Sequence, residues 1–551
     1  MTRLALSNKA SCLGDTNILP ETIKAAIAHI KSKKSDGVYD FMSDHFINAP
    51  DILCLQLSRL LSSCLCHGYI PHCLLLSTLV PIPKEQMGDL TTSNNYRGIA
   101  LCALIMKIFE YVFLNNHPDS FASNENQFAY KKKSSTTDCT WVAREVISYY
   151  TRNGSNVFAC FLDCSKAFDK IRFDILFDKL ISKGVSPILI RFLMYSYMNS
   201  TVRVRWNGAY SDVFNVVNGV RQGAVLSPFL FNIYTEDLIS KLKLDGKGCW
   251  VGSEYYGALL YADDILLLAP SVSALQCMVL KCEIFGKKNG IDFNLKKYVC
   301  INFHLHHECL SSNTVLIKLN GAILSWSLQV KYLGHTLSCC GDFEKDINIK
   351  KGQFIACVNN INTEFSFSTP CVKMKLLSAY GTSFYGSNLW NLYGKAAKTL
   401  YTSWNIAIRR TLKIPYRTHT RYLNKLSGLH HIHFTLKRRF INFIQRLFMS
   451  DNLLIKNMLH YTTSTCLSPT GCTLSRIIQE FDVFSFTHIH WYLDNLSKIM
   501  LDKYIEKSNL SATDTVNCNV VQEMMNCLQG SNTCVLSLSE CAELLEFVAV
   551  S

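Results

Sequence analysis

Asp263 and Asp264 stand side by side between two apolar runs, Leu259-Leu260-Tyr261 and Ile265-Leu266-Leu267-Leu268. Adjacent carboxylates repel unless something positive lies between them, and a divalent cation is the usual counter-charge. A polar hairpin tip facing water would need no such partner. A tip flanked by this much apolar sequence belongs instead to a buried hairpin, and its acids are expected at a site. A third acid, Asp163, ends the apolar run Val157-Phe158-Ala159-Cys160-Phe161-Leu162, which reads as a strand buried on both faces. Open sheets place functional groups at such strand ends. Three carboxylates on neighbouring strand ends can hold two Mg²⁺ ions roughly 3.5–4 Å apart, the arrangement that clamps the attacking and leaving oxygens in phosphoryl transfer. Mg²⁺ keeps water and substrate phosphates as its other ligands, so few protein groups are needed.

The elements that must position these acids are legible in outline. Pro20 to Lys34 predicts an amphipathic helix with Ile23, Ile27 and Ile30 on one face. A second helix is expected from Asp51 to Cys66, then a strand over Ser77 to Ile82 and a strand–helix pair or helix over Ile99 to Phe113. Phe173 to Ser182 predicts a helix, and Ser186-Pro187 starts another. Arg203 to Val217 alternates like a hairpin about Asn207-Gly208. Leu226 to Lys243 is helical, and Ala258 to Ala269 forms two short strands joined at Ala262-Asp263-Asp264. Beyond about residue 340 the helical period dominates, with basic faces at Arg409-Arg410 and Lys437-Arg438-Arg439.

The 551 residues exceed one compact core, so two to four lobes are expected. A hydrophobic content of 48% with 18% charged residues excludes a disordered chain. The formal charge of +14 suits a polyanionic partner. The 24 cysteines are scattered, many within apolar runs, as in reduced buried thiols. Cys466 and Cys472 with His488 and His490 lack the spacing of a zinc knuckle. Nothing at the N-terminus resembles a signal peptide, and the most apolar stretch is broken by Arg59, His67, Pro71 and His72, so no membrane partner is expected. These features predict an intracellular protein, with nucleus and cytoplasm both open.

Three motifs in the right order carry a resemblance to a known family. Tyr261-Ala262-Asp263-Asp264 resembles the signature hairpin of reverse transcriptases. Phe161-Leu162-Asp163-Cys164-Ser165-Lys166-Ala167-Phe168-Asp169-Lys170-Ile171 is similar to the first catalytic-Asp motif of LINE-type elements. Gly219-Val220-Arg221-Gln222-Gly223-Ala224-Val225-Leu226-Ser227-Pro228 matches the loop-and-helix motif between them. Further out, Asn95-Tyr96-Arg97-Gly98-Ile99 resembles the fingers motif, with Gly98 in place of a proline. Gln127 to Thr136 resembles the template-side basic stretch, and Gly290 to Lys297 resembles the motif after the hairpin. There Tyr298 stands where a small hydroxyl residue is common. Lys331-Tyr332-Leu333-Gly334 resembles the primer grip, and Arg409-Arg410 through Leu423 resembles the region after the polymerase. The chain thus resembles the reverse transcriptase of a non-LTR (LINE-type) retrotransposon over about residues 20 to 450. Telomerase and group II intron maturases fit less well.

That resemblance implies an α/β right-hand polymerase. Its palm holds an antiparallel sheet carrying the Tyr-Ala-Asp-Asp hairpin, beside fingers and a largely helical thumb and C-terminal region. The implied division is an N-terminal helical extension at 1–60, fingers and palm at 61–338, thumb at 339–450 and a mostly helical region of unknown role at 451–551. Asp163, Asp263 and Asp264 are implied as catalytic metal carriers, with Asp163 and Asp263 the direct ligands of two Mg²⁺ ions, or of Mn²⁺, and Asp264 auxiliary. Phe168 would lie under the sugar and exclude a 2′-OH. Arg97 and Lys84 would meet the triphosphate, and Gln222 and Gly223 the template base and nascent pair. Lys297 or Lys296 would protonate pyrophosphate. Lys131, Lys132, Lys133, Tyr332 and Gly334 would touch nucleic acid, while Asp169 and Asp174 read as structural. The implied partners are an RNA template, a DNA primer and dNTPs. LINE elements usually carry an endonuclease ahead of the polymerase, so a truncated open reading frame is expected, with a catalytically silent, RNA-binding remnant as the alternative.

Overall fold

The computed structural model describes residues 16–85, 88–293, 298–304, 316–341 and 343–480. The helix Pro20–Ile27 stops well before Lys34. Past a closing turn at residues 28–30, the chain is held elsewhere: the Asp44 carboxylate accepts from Lys33 N–H at 2.7 Å, and Ser43 Oγ accepts from Lys34 N–H at 2.9 Å. The helix Asp51–His67 runs as expected and ends on Gly68, whose φ of +63° suits a residue without Cβ.

The fingers sheet is built on the strand Leu76–Pro83. It pairs antiparallel with Tyr96–Cys102, placing Ile82 opposite Arg97, and parallel with Thr201–Trp206. The segment after Asn95 is therefore a strand followed by a helix, Leu104–Asn116. The hairpin turn at Asn207-Gly208 has positive φ at both residues, as a two-residue turn between twisted strands requires.

In the palm sheet, Val157–Ser165 lies between Asp264–Ala269 and Val299–Phe303, with Ala258–Tyr261 outermost. All these pairs are antiparallel. The sheet is apolar throughout because it separates two cores. Ala159, Phe161, Leu259, Leu266 and Leu268 pack into one, with the helix Thr136–Arg152 and the C-terminal helices. Cys160, Leu162, Leu260, Ile265 and Leu267 pack into the other, with the helices Ser227–Leu244 and Val272–Asn289. Successive side chains on a strand point to opposite faces, so each strand feeds both cores at once. Burying each of these leucines and isoleucines stabilises the sheet by about 1.5–3 kcal/mol.

From Glu344 to Glu480 the chain is helical. The helix Pro469–Glu480 is part of the palm-side core: Trp141 Nε1 donates to Thr470 Oγ1 at 2.9 Å, and Thr470 donates to the buried Glu145 at 2.7 Å. Glu145 also pairs with buried Arg144. Much of the basic sequence here is spent on structure. Lys437 is buried against Glu480, Arg439 donates to the Thr382 carbonyl, and Arg446 grips Asp138 with two hydrogen bonds. Together the fingers sheet, the antiparallel palm sheet and the helical C-terminal half make a right-hand polymerase fold. Among the described residues, no helix is long and apolar enough to cross a membrane.

Burial pushes three imidazoles, His335, His431 and His433, down to about 4. An unfolded histidine titrates near 6.5, so between these values the unfolded chain binds more protons. Stability from these groups is therefore full above pH 6.5 and is lost as the pH falls toward 4. His335 isolates the effect, since neither ring nitrogen has a hydrogen-bond partner and Lys350 and Arg144 further oppose its charge. His335→Phe should flatten the fall in melting temperature between pH 6.5 and 4 relative to wild type. Parallel curves for the two proteins would contradict this account.

Candidate active site

The strand register brings the acids together. Asp264 sits directly opposite Asp163 on the neighbouring antiparallel strand and opposite Tyr261 across the hairpin. Opposed residues in such a ladder lie with Cα atoms about 4.5–5.5 Å apart and side chains on the same face. The turn is therefore Ala262-Asp263 alone, and Asp264 already belongs to the strand. Ala262 has a φ of +54°, a left-handed conformation costly for alanine. Cys164 N–H donates to the Asp263 carbonyl at 3.3 Å, tying the turn to the Asp163 strand.

The field of the three carboxylates shows in their neighbours. The Cys164 thiol is pushed well above its usual range by burial and then by Asp263, Asp163 and Asp264. The Tyr130 phenol is raised by burial and by Asp263, with Arg97 opposing. Asp264 bears on Cys139 and Tyr332, where burial is the larger cause of their upward shifts.

Asp163 and Asp263 line a cleft of about 1110 Å³ between palm and fingers. Lys84, Arg97, Phe168, Gln222 and Gly223 line it too, so seven residues expected at the site share one cavity. Arg97 is exposed on the fingers wall. Lys84 faces the same space while donating to the Asn94 carbonyl at 2.8 Å. Phe168 is half-buried and stacked on Phe231, with centroids 5.2 Å apart. The Gln222 amide donates to Asp169 Oδ1 at 2.9 Å.

Residues 82–337 match the family model described as reverse transcriptase (RNA-dependent DNA polymerase). These residues are a reverse transcriptase domain. The Pol polyprotein of the type-1 retrotransposable element R2 from Nasonia vitripennis is 26% identical over 294 residues, covering 51% of this chain and 28% of that protein. The RNA-directed DNA polymerase from mobile element jockey of Drosophila funebris is 26% identical over 361 residues, covering 62% and 37%. The domain is thus similar to parts of these retrotransposon proteins. The match spans less than half the length of each of these relatives. A solved structure of telomerase from Candida tropicalis with a TWJ fragment of telomeric RNA aligns at a TM-score of 0.37 and 13% identity, covering 78% of this chain and 64% of that one.

In this reverse transcriptase domain the loop bearing Gln222 is fixed by groups absent from the expected set. The buried Glu110 carboxylate accepts from Val225 N–H at 2.6 Å and Leu226 N–H at 3.1 Å; burial pushes its pKa up, and Arg221 opposes the shift. Arg221 is itself buried on Ser196 and Ser200. Gly223 has a φ of +114°, and a Cβ there would lie 2.8 Å from the Ala100 carbonyl. The close approach that requires glycine is thus to the fingers strand. Gly223→Ala should cost about 1–3 kcal/mol through backbone strain and pry the fingers from the loop. A lower melting temperature with a higher KM for nucleotide would register this, and wild-type values of both would contradict it.

Two expectations change. Lys131 is largely enclosed, donating to the Asn124 carbonyl at 2.7 Å, and burial lowers its pKa; it is a structural lysine. The Tyr332 ring is 4% exposed, packed on Phe161 with its hydroxyl 3.3 Å from Cys139 Sγ, and is out of reach of nucleic acid. Lys132 and Lys133 are exposed, while Gly334 shares a left-handed turn with Leu333, held by the Tyr385 hydroxyl at 3.1 Å from the Leu333 carbonyl. Lys296 and Lys297 lie outside the described residues. The sequence reading missed Tyr130, 44% exposed on the cleft wall, and undervalued Asp169, which orients Gln222 there. Their places inside otherwise matching motifs were the available signal.

Reverse transcriptases as a family use divalent metal ions, and the donors here suit one. Carboxylates are hard oxygen ligands, and the cleft leaves room for water and phosphate. Among the described residues, no group of three or more His, Cys, Asp or Glu side chains is placed to hold a metal ion.

Proposed function

We propose that this domain is an RNA-directed DNA polymerase that joins a dNTP to a primer 3′-OH on an RNA template. The observation that carries it is the register pairing of Asp163 with Asp264, which sets Asp163 and Asp263 in one cleft facing Arg97 and Lys84. Asp163 and Asp263 would hold two Mg²⁺ ions, with Asp264 auxiliary. When bound, those ions supply charge neutralisation at the attacking and leaving oxygens. Arg97 presents a planar fork suited to phosphate oxygens, and Lys84 adds a second positive charge. Phe168 occupies the place of a ribose 2′-OH. Gln222, held by Asp169, lies against the templating base. Positioning and charge do most of the catalytic work in such transfers. Residues 61–338 supply fingers and palm in this reading and 339–450 the thumb.

The test is primer extension on an RNA template with Mg²⁺ and dNTPs, wild type against Asp263→Asn. Extension by wild type alone supports the reading. Equal, background-level products from both would leave a silent remnant that keeps the fold.

A further inference from the structure

A single buried amide grips the catalytic turn from outside the sheet. Gln127 is 1% exposed. Its side-chain oxygen accepts from Ala262 N–H and from Ala129 N–H, each at 3.0 Å, and its amide nitrogen donates to the Ala262 carbonyl at 3.4 Å. Ala262 opens the two-residue turn between Tyr261 and Asp264, where the strand ladder offers its backbone no partner. At 7% exposure it has little access to water. Polar groups left unpaired there would be costly, and the left-handed φ adds to that cost. The turn holds its shape because Gln127 offsets both.

The next residue is Asp263. Its own carbonyl is held by Cys164 N–H, beside Asp163. The backbone around Asp263 is thus fixed on one side by Gln127 and on the other by the strand carrying Asp163. Gln127 is itself anchored. Asn126 donates to the Tyr255 and Ala258 carbonyls at 3.0 and 2.7 Å. Leu260 N–H reaches the Asn126 carbonyl, and Phe128 N–H reaches the Leu260 carbonyl, both at 2.8 Å. Filling space would need only a methionine of similar volume. Pairing both the N–H and the C=O of one residue needs an amide.

We propose that Gln127 is a positioning residue for Asp263, clamping Ala262 in its left-handed conformation so that the carboxylate is aimed before substrate or metal arrives. This rests on the polymerase reading of the same site. Pre-aimed groups need no reorganisation during reaction, so the clamp should matter to turnover more than to nucleotide binding.

In the full chain, Gln127→Met keeps the volume and removes the clamp, while Gln127→Glu keeps the acceptor and loses the donor. Val142→Ala, a core truncation on the helix Thr136–Arg152, controls for lost stability. Hydrogen exchange of a peptide spanning Ala262 and Asp263 should quicken in Gln127→Met, quicken less in Gln127→Glu, and in Val142→Ala change only as global stability does. In single-nucleotide extension, Gln127→Met should lower kcat about 100-fold, the scale expected of a misplaced catalytic group, with KM for dNTP nearly unchanged. The Mg²⁺ concentration for half-maximal rate should rise as well. Val142→Ala should melt earlier and keep its kcat. Wild-type exchange at the turn, or quickened exchange with unchanged kcat, overturns the proposal. If wild type extends no primer, the polymerase reading fails separately. Exchange then decides alone: quickened exchange upholds the clamp on the turn, and unchanged exchange removes it.

Discussion

Asparagine at position 163 or 263 should reduce RNA-templated extension by on the order of 10³-fold, about 4 kcal/mol of transition-state stabilisation, without destabilising the protein. The two effects have opposite signs for one reason. The ladder sets Asp264 opposite Asp163, and the Ala262-Asp263 turn puts Asp263 in the same cleft as Asp163. In the absence of a cation their mutual repulsion opposes folding. Removing one charge relieves that repulsion, so without divalent ions the variants should melt at or above the wild-type temperature. Adding Mg²⁺ should raise the wild-type melting temperature by mass action and that of the variants less. Thermal melts with and without Mg²⁺, run beside the extension assay, read both halves. A variant that keeps more than a tenth of wild-type extension, or that melts well below wild type in chelator, would mean these acids serve the fold.

Phe168→Val should erode discrimination against ribonucleotides by about 100-fold, close to 3 kcal/mol, while dNTP incorporation falls little. Phe168 lies on the cleft wall five positions beyond Asp163 and is backed by the parallel ring of Phe231. That stacking makes it a rigid wall, which is what excluding a single hydroxyl requires. Valine keeps an apolar surface and withdraws the ring edge. Measured kcat/KM for a matched dNTP and rNTP pair gives the ratio directly. An unchanged ratio with a lowered melting temperature would return Phe168 to the core.

The candidate acids were legible because burial on both faces of the sheet writes itself into sequence as unbroken apolar runs, and acids ending such runs stand out. The hairpin about Asn207-Gly208 was legible because its turn demands left-handed residues. Contacts made across long separations were not. Gln127 meets Ala262 over 135 residues, and nothing local marks it as anything other than part of a basic stretch. Tyr332 looked exposed in its motif but is covered by Phe161 from a distant strand, and Lys131 looked solvated but folds back to Asn124. The helix from Pro20 was read too long because its periodicity continues past Ile27, while the Lys33 and Lys34 amides further on are held by Asp44 and Ser43. The close approach of Gly223 to Ala100 on the fingers strand is likewise a long-range contact with no local mark.

The hydrogen bonds that Thr470 accepts from Trp141 and donates to Glu145 carry a consequence for synthesis. A ribosome has translated every acid of the site by Asp264, yet the helix that completes the palm's core emerges some two hundred codons later. Until Thr470 leaves the exit tunnel, the buried Arg144–Glu145 pair lacks its Thr470 contacts, and Leu474 and Ile477 are missing from the core above the sheet. A nascent chain arrested before that point leaves this core incomplete and is a substrate for chaperones or aggregation. A stop codon upstream of residue 469 should therefore yield insoluble protein, although Asp163, Asp263 and Asp264 have all been made.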